Sequence, residues 1–157
     1  MSTNRLVQRT LLRRAIPYRT GFYIAFLPAI LMLAVFWPFG GGGKKVQMMA
    51  GSATPGAQGT INVSSSGNNN VKMDIKVQDL VNPSGLTPAE NVYVLWVQPE
   101  GQAAQNEGEV KVDKKENGQI HTETAYKRFK VFITAEQNAQ VKTPTGPQVL
   151  SADVAQG

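Results

Sequence analysis

The chain has 157 residues, no cysteine, one histidine and a formal net charge of +5. Without cysteine there is no disulfide framework, thiolate metal site, thiol nucleophile or acylated lipoprotein cysteine, and a lone histidine cannot build an ordinary zinc or type-one copper shell. Eleven acids and eleven basic residues share positions 44–157, so the whole charge excess belongs to Arg5, Arg9, Arg13, Arg14 and Arg19. A nucleic-acid domain carries its basic footprint on a folded surface, so no nucleic-acid partner is expected.

Residues 1–20 read as a basic amphipathic arm. Leu6, Val7, Leu11, Leu12, Ala15 and Ile16 recur at helical spacing with arginines mostly between them, and Pro17 ends the pattern. Such an arm is expected to lie on anionic lipid at the inner membrane surface, or to dock on the cytoplasmic face of a partner subunit.

Residues 21–39, GFYIAFLPAILMLAVFWPF, carry no charge. A hydrocarbon core takes roughly 20 apolar residues, so this run predicts one transmembrane helix, with Pro28 tolerated as a kink. Arginine is retained on the cytoplasmic side of a span, which places Arg13, Arg14 and Arg19 inside and the C-terminal part outside. Tyr18, Tyr23 and Trp37 mark the two interfaces. The predicted location is a bacterial inner membrane with the C-terminal domain in the periplasm. A cleaved secretory signal would have a shorter apolar core and a small-residue site close behind it. Here the nearest such site, after Ala53, lies well beyond the run.

Residues 40–58 open with four glycines and read as a flexible Gly-rich linker. From 59 to 155 the period changes to two. The predicted strands are 60–64, 71–77, 92–97, 109–113, 119–124, 129–134 and 149–154, and Asn117-Gly118 signals a hairpin. About seven short strands with frequent turns predict a mainly β fold, an immunoglobulin-like β-sandwich. The run VYVLWV (92–97) is apolar on both faces, as a strand covered on both sides would be. Trp96 is the expected central core aromatic, packed against Phe132 and Val77.

No catalytic constellation stands out. His121, in QIHTET, has no second ligand nearby and reads as a surface or edge-strand residue. Glu107, Glu109 and Lys111 share a strand face at a spacing of two, where cross-strand charge pairing is the plain explanation. Lys127, Arg128 and Lys130 form a small solvated basic patch, and Asn62-Val63-Ser64 matches a glycosylation sequon of a kind common by chance. No phosphate-binding glycine loop is present, and no metal, cofactor or enzymatic activity is expected.

Three segments carry a resemblance. Tyr93-Val94-Leu95-Trp96-Val97, Phe132-Ile133-Thr134-Ala135-Glu136 and Thr143-Pro144-Thr145-Gly146-Pro147 stand in the order seen in the extracytoplasmic domain of anti-sigma-K factors. The stretch from Asn91 to Leu150 resembles that domain, which implies an outer β-domain on a single span. The family holds its sigma factor with a helical cytoplasmic domain of many tens of residues, which a 20-residue arm does not match. The expected function is therefore a non-catalytic, single-span accessory subunit, partnered by integral membrane proteins of a larger photosynthetic or respiratory assembly. The alternatives are a truncated regulator of the anti-sigma type and a free ligand-binding module at the cell surface.

Overall fold

The computed structural model describes residues 43–156. The arm, the predicted span and residues 40–42 lie outside the described residues, and with them Arg13, Arg14, Tyr18, Arg19, Tyr23 and Trp37. Among the described residues no helix is long and apolar enough to cross a membrane.

The described chain is mainly β. Eight strands follow one another: β1 (Lys44–Ala50), β2 (Gln58–Ser65), β3 (Val71–Gln78), β4 (Val92–Pro99), β5 (Gln105–Val110), β6 (Gly118–Thr124), β7 (Arg128–Glu136) and β8 (Gln148–Ala155). All pair antiparallel, in the order β5-β4-β7-β8-β1-β2-β3-β6. The two ends of this order approach each other, because a short turn at 113–117 connects β5 to β6 and the Thr122 hydroxyl of β6 donates to the Glu107 carboxylate of β5. The sheet is therefore nearly closed.

Strand formation follows the side-chain alternation. On β3, Val71, Met73, Ile75 and Val77 are buried while Lys72, Lys76 and Gln78 face solvent. Period-two burial of this kind fixes the register, since a slip of one residue would turn every apolar side chain outward. Ile61 and Val63 of β2, Tyr93, Leu95 and Val97 of β4, Val131 and Ile133 of β7 and Leu150 of β8 join these residues in one core. At one end of it the Tyr93 hydroxyl donates to Val81 O at 2.8 Å. Burial, and secondarily the negative charge of Glu116, push this phenol up to about 12.

Three expectations need correction. Residues 44–50 are not linker but strand β1. Val46 and Met48 turn toward the core while Lys45 and Gln47 turn out, and the strand fills the gap between β2 and β8. Lys44 to Met48 pair with β2, and Met49 and Ala50 pair with β8. The following turn is also ordered by contacts: Thr54 Oγ1 donates to Val149 O at 3.0 Å, and Ala57 is buried.

The fifth strand is Gln105–Val110 rather than 109–113, and Val112 makes only an isolated bridge to Gly118. A register shift between Leu95 and Trp96 accompanies it, with Gly108 at φ +113°. This bulge carries Glu107 out of line with Glu109, so the two do not share a face. The chain does turn back at Asn117-Gly118, but only the isolated Val112–Gly118 bridge follows from it and β5 and β6 do not pair; the left-handed residue of the turn is Glu116, at φ 63°. Asp113 organises the turn by accepting from the Lys115 and Asn117 N–H groups at 2.7 and 3.0 Å. Gly118 is required for another reason, since a Cβ there would lie 2.7 Å from Lys111 O.

Trp96 stacks on Phe132, with ring centroids 6.3 Å apart and planes at 16°, but neither packs on Val77. Tyr93, Leu95 and Val97 are the inward residues of β4, so parity sends Val94 and Trp96 to the opposite side of the sheet. There they form a second cluster with Phe132, while Val77 stays in the main core.

Ile75→Ala, at a fully buried position of β3, is expected to lower the unfolding free energy by about 2–5 kcal/mol. Met49→Gln, at a residue 69 % exposed, should change it by less than about 0.5 kcal/mol. Denaturant midpoints of the full chain measure both.

Candidate functional site

The two groups of strands present different outer faces. Behind β4 and β7 the outer face is covered by residues 137–147. Val141 and Ala104 pack on the Trp96 cluster, and Asn106 Nδ2 donates to Ala139 O at 3.0 Å and Val141 O at 2.8 Å. This cover explains why 92–97 is apolar on both sides.

A buried hydrogen-bond chain fixes the cover. Trp96 Nε1 donates to Thr134 Oγ1 at 2.8 Å, and that hydroxyl donates to Glu136 Oε1 at 2.6 Å. Glu136 is 0 % exposed, so its charge must be satisfied internally. Thr145 N–H reaches Oε1 at 3.0 Å and Thr145 Oγ1 reaches Oε2 at 2.5 Å. Gly146 N–H lies 3.2 Å from both oxygens. Burial alone would raise this carboxyl, but the donors from Thr134, Thr145 and Gly146 outweigh it and hold the group below the usual glutamate range. Gly146 also admits the close approach, since a Cβ there would sit 1.7 Å from Ala135 O. The arrangement holds a loop; it presents no nucleophile or proton donor to an open site.

Among the described residues nothing covers the outer face of β1, β2, β3 and β6. Register aligns its side chains in rows: Gln47, Thr60, Lys76 and Gln119 in one, Lys45, Asn62, Asp74 and His121 in the next. A third row is Ser64, Lys72 and Glu123. Thr60 Oγ1 donates to Gln47 Oε1 at 3.0 Å, and Gln119 Nε2 donates to Asp74 Oδ1 at 2.8 Å. His121 Nδ1 lies 3.5 Å from Asp74 Oδ1, and this is the one close pair of oppositely ionisable groups among the described residues. Beside these rows Lys45, Lys76 and Lys111 border a shallow depression of about 840 Å³. Asp113 also borders it, its carboxyl held below the usual range by the N–H groups of Asn117 and Lys115.

His121 thus occupies an exposed place on edge strand β6. Of Lys127, Arg128 and Lys130, the last two border one depression with Lys44, Lys130 lying 5.2 Å from the Phe132 ring centroid, while Lys127 donates to Asn69. Among the described residues no three His, Cys, Asp or Glu side chains come together as a metal cluster would. Sequence reasoning missed both the Glu136 chain and the polar rows. A signal for the first lies in Thr134-x-Glu136 at the end of a strand. The rows need the register of four strands, which no single segment carries. No protein-family model matches the chain, and no curated protein matches it.

Glu136→Gln places an amide N–H against at least one of the donors and should destabilise the full chain by about 1–3 kcal/mol near neutral pH. A depressed folded-state carboxyl stabilises above its ordinary titration range, and that contribution is lost as pH falls through the folded value. The gap between wild type and variant should therefore close on acidification, as denaturant titrations at stepped pH would show. Gly146→Ala should be at least as damaging and should weaken the near-UV circular dichroism of Trp96, as the loop is forced off the sheet.

Proposed function

We propose that the chain is a non-catalytic accessory subunit of a bacterial membrane complex, anchored by residues 21–39 and contributing an immunoglobulin-like β-sandwich on the periplasmic side. The observation that carries this reading is the start of β1 at Lys44. Only the four glycines 40–43 separate it in sequence from the uncharged run. A long tether would suit a module that searches for ligand, whereas a fold opening directly after the anchor suits a fixed neighbour of other membrane subunits. The arginine-only charge of the arm supports an inner-surface grip on anionic lipid. A photosynthetic or respiratory assembly fits such a subunit. In the sandwich, β1-β2-β3-β6 would form one layer and β5-β4-β7-β8 the other, with the main core between them.

A second reading, a shortened regulator like the anti-sigma-K factors, has one observation in its favour. Thr134, Glu136, Thr145 and Gly146, all within the segments that carry that resemblance, meet in a single hydrogen-bond chain.

Recovery of the native protein in mild detergent, with intact mass of the chain, tests the proposal. Stoichiometric integral subunits alongside an uncleaved chain are the expected result. A lone chain of full mass would favour the regulator or a surface module, and a chain beginning near Thr54 would remove the anchor.

A further inference from the structure

We propose that the bare outer face of β1, β2, β3 and β6 binds an acidic glycan, a carboxylate-bearing polysaccharide laid across the four strands. This goes beyond the subunit reading and does not depend on it, since the face belongs wholly to the β-domain.

The chemistry of the face decides the class of ligand. Its rows are built from amides and hydroxyls, each able to donate to and accept from sugar hydroxyls: Gln47, Thr60, Asn62, Ser64 and Gln119. Among these stand lysines whose ammonium groups have no hydrogen-bond or ion-pair partner within the described residues, namely Lys45, Lys72 and Lys76, with Lys111 at the rim. Three carboxylates stand nearby and keep their charge, Glu123 sensing that of Lys72, but none pairs with these lysines within 4.0 Å. Asp74 faces Gln119 and His121, Glu123 accepts from Ser66 at 2.8 Å, and Asp113 is held by its own turn. Lys72 and Lys76 are four residues apart on one strand, about 13 Å, and Lys45 lies two strands from β3, about 10 Å. Cations at these separations suit charges repeating along a polymer better than one small anion.

The same face is poor for other partners. Protein hot spots are aromatic or arginine anchors in dry pockets, and these rows hold neither. Single-stranded nucleic acid needs aromatic stacking platforms, also missing from them. Membrane insertion needs apolar side chains, and Met49, at the border, is the one large exposed apolar residue on these strands.

Native affinity electrophoresis of the full chain in mild detergent tests the proposal, with polygalacturonate, neutral dextran or polyphosphate cast in the gel. Polygalacturonate should retard the protein, dextran should not, and added salt should weaken the retardation. The triple variant Lys45→Gln, Lys76→Gln, Lys111→Gln should bind at least about tenfold more weakly, a difference of some 1.4 kcal/mol. Lys76→Gln alone should shift in the same direction. The control variant Lys114→Gln, Lys115→Gln, Lys142→Gln removes equal charge elsewhere and should behave as wild type. Equal loss in both triple variants would reduce the effect to net charge and overturn the assignment. Retardation by polyphosphate without polygalacturonate would overturn it, as would no retardation at all. None of these results turns on whether integral subunits are recovered with the chain.

Discussion

The described fold depends on one strand hydrogen-bonded on both of its sides. β1 gives Lys44 to Met48 to β2 and then Met49 and Ala50 to β8. It thereby joins β2-β3-β6 to β5-β4-β7-β8 in a single sheet. Without it β2 and β8 would each expose a free edge, with the pairing hazards such edges carry. With it the free edges are β5 and β6. β5 is blunted by the bulge at Gly108, and the two are tied together by Thr122 and Glu107. Two glycines accommodate the strand and its turn. A Cβ at Gly59 would lie 2.7 Å from the Met48 sulfur, and one at Gly51 would lie 2.1 Å from Gln148 O.

The nearly closed arrangement leaves two outer faces with opposite fates. One holds Val94, Trp96 and Phe132 and is roofed by residues 137–147, which the buried Glu136 carboxylate holds down through backbone and hydroxyl donors. A buried carboxylate is costly unless fully hydrogen-bonded, and here it spends that bonding on a loop rather than on chemistry. Among the described residues nothing roofs the other face, whose rows are polar. The two faces follow from a difference in composition at outward positions, apolar at Val92, Val94 and Trp96 of β4 and Phe132 of β7 and polar on β2 and β3.

Much of this was legible where the chain alternates cleanly. β3 shows period two without interruption, and Val92 to Val97 announced cover on both sides. β1 was not legible, because its alternation spans only a few residues between four glycines and the small-residue stretch 50–57. β5 was misplaced because a bulge breaks the period, and no local pattern distinguishes a bulged strand from a short one. The partners of Trp96 were half right: stacking on Phe132 follows from strand pairing, but only parity along β4 decides which face the indole takes. Only Thr134 hints locally at the role of Glu136, since its other donors arrive from nine and ten residues onward. The polar rows were invisible for the plainest reason, that no strand contains more than a few of their members.

The most direct test of this account is native-state amide hydrogen exchange on the full chain, read at Val46 to Ala50. If β1 joins the two strand groups, its hydrogen-bonded amides should be protected to the same order as those of β2 and β8, opening only with the domain. Exchange there at the rate of an unstructured chain, with β2 and β8 still protected, would contradict it. Residues 44–50 would then be linker after all, and the short connection to the apolar run would be lost with them.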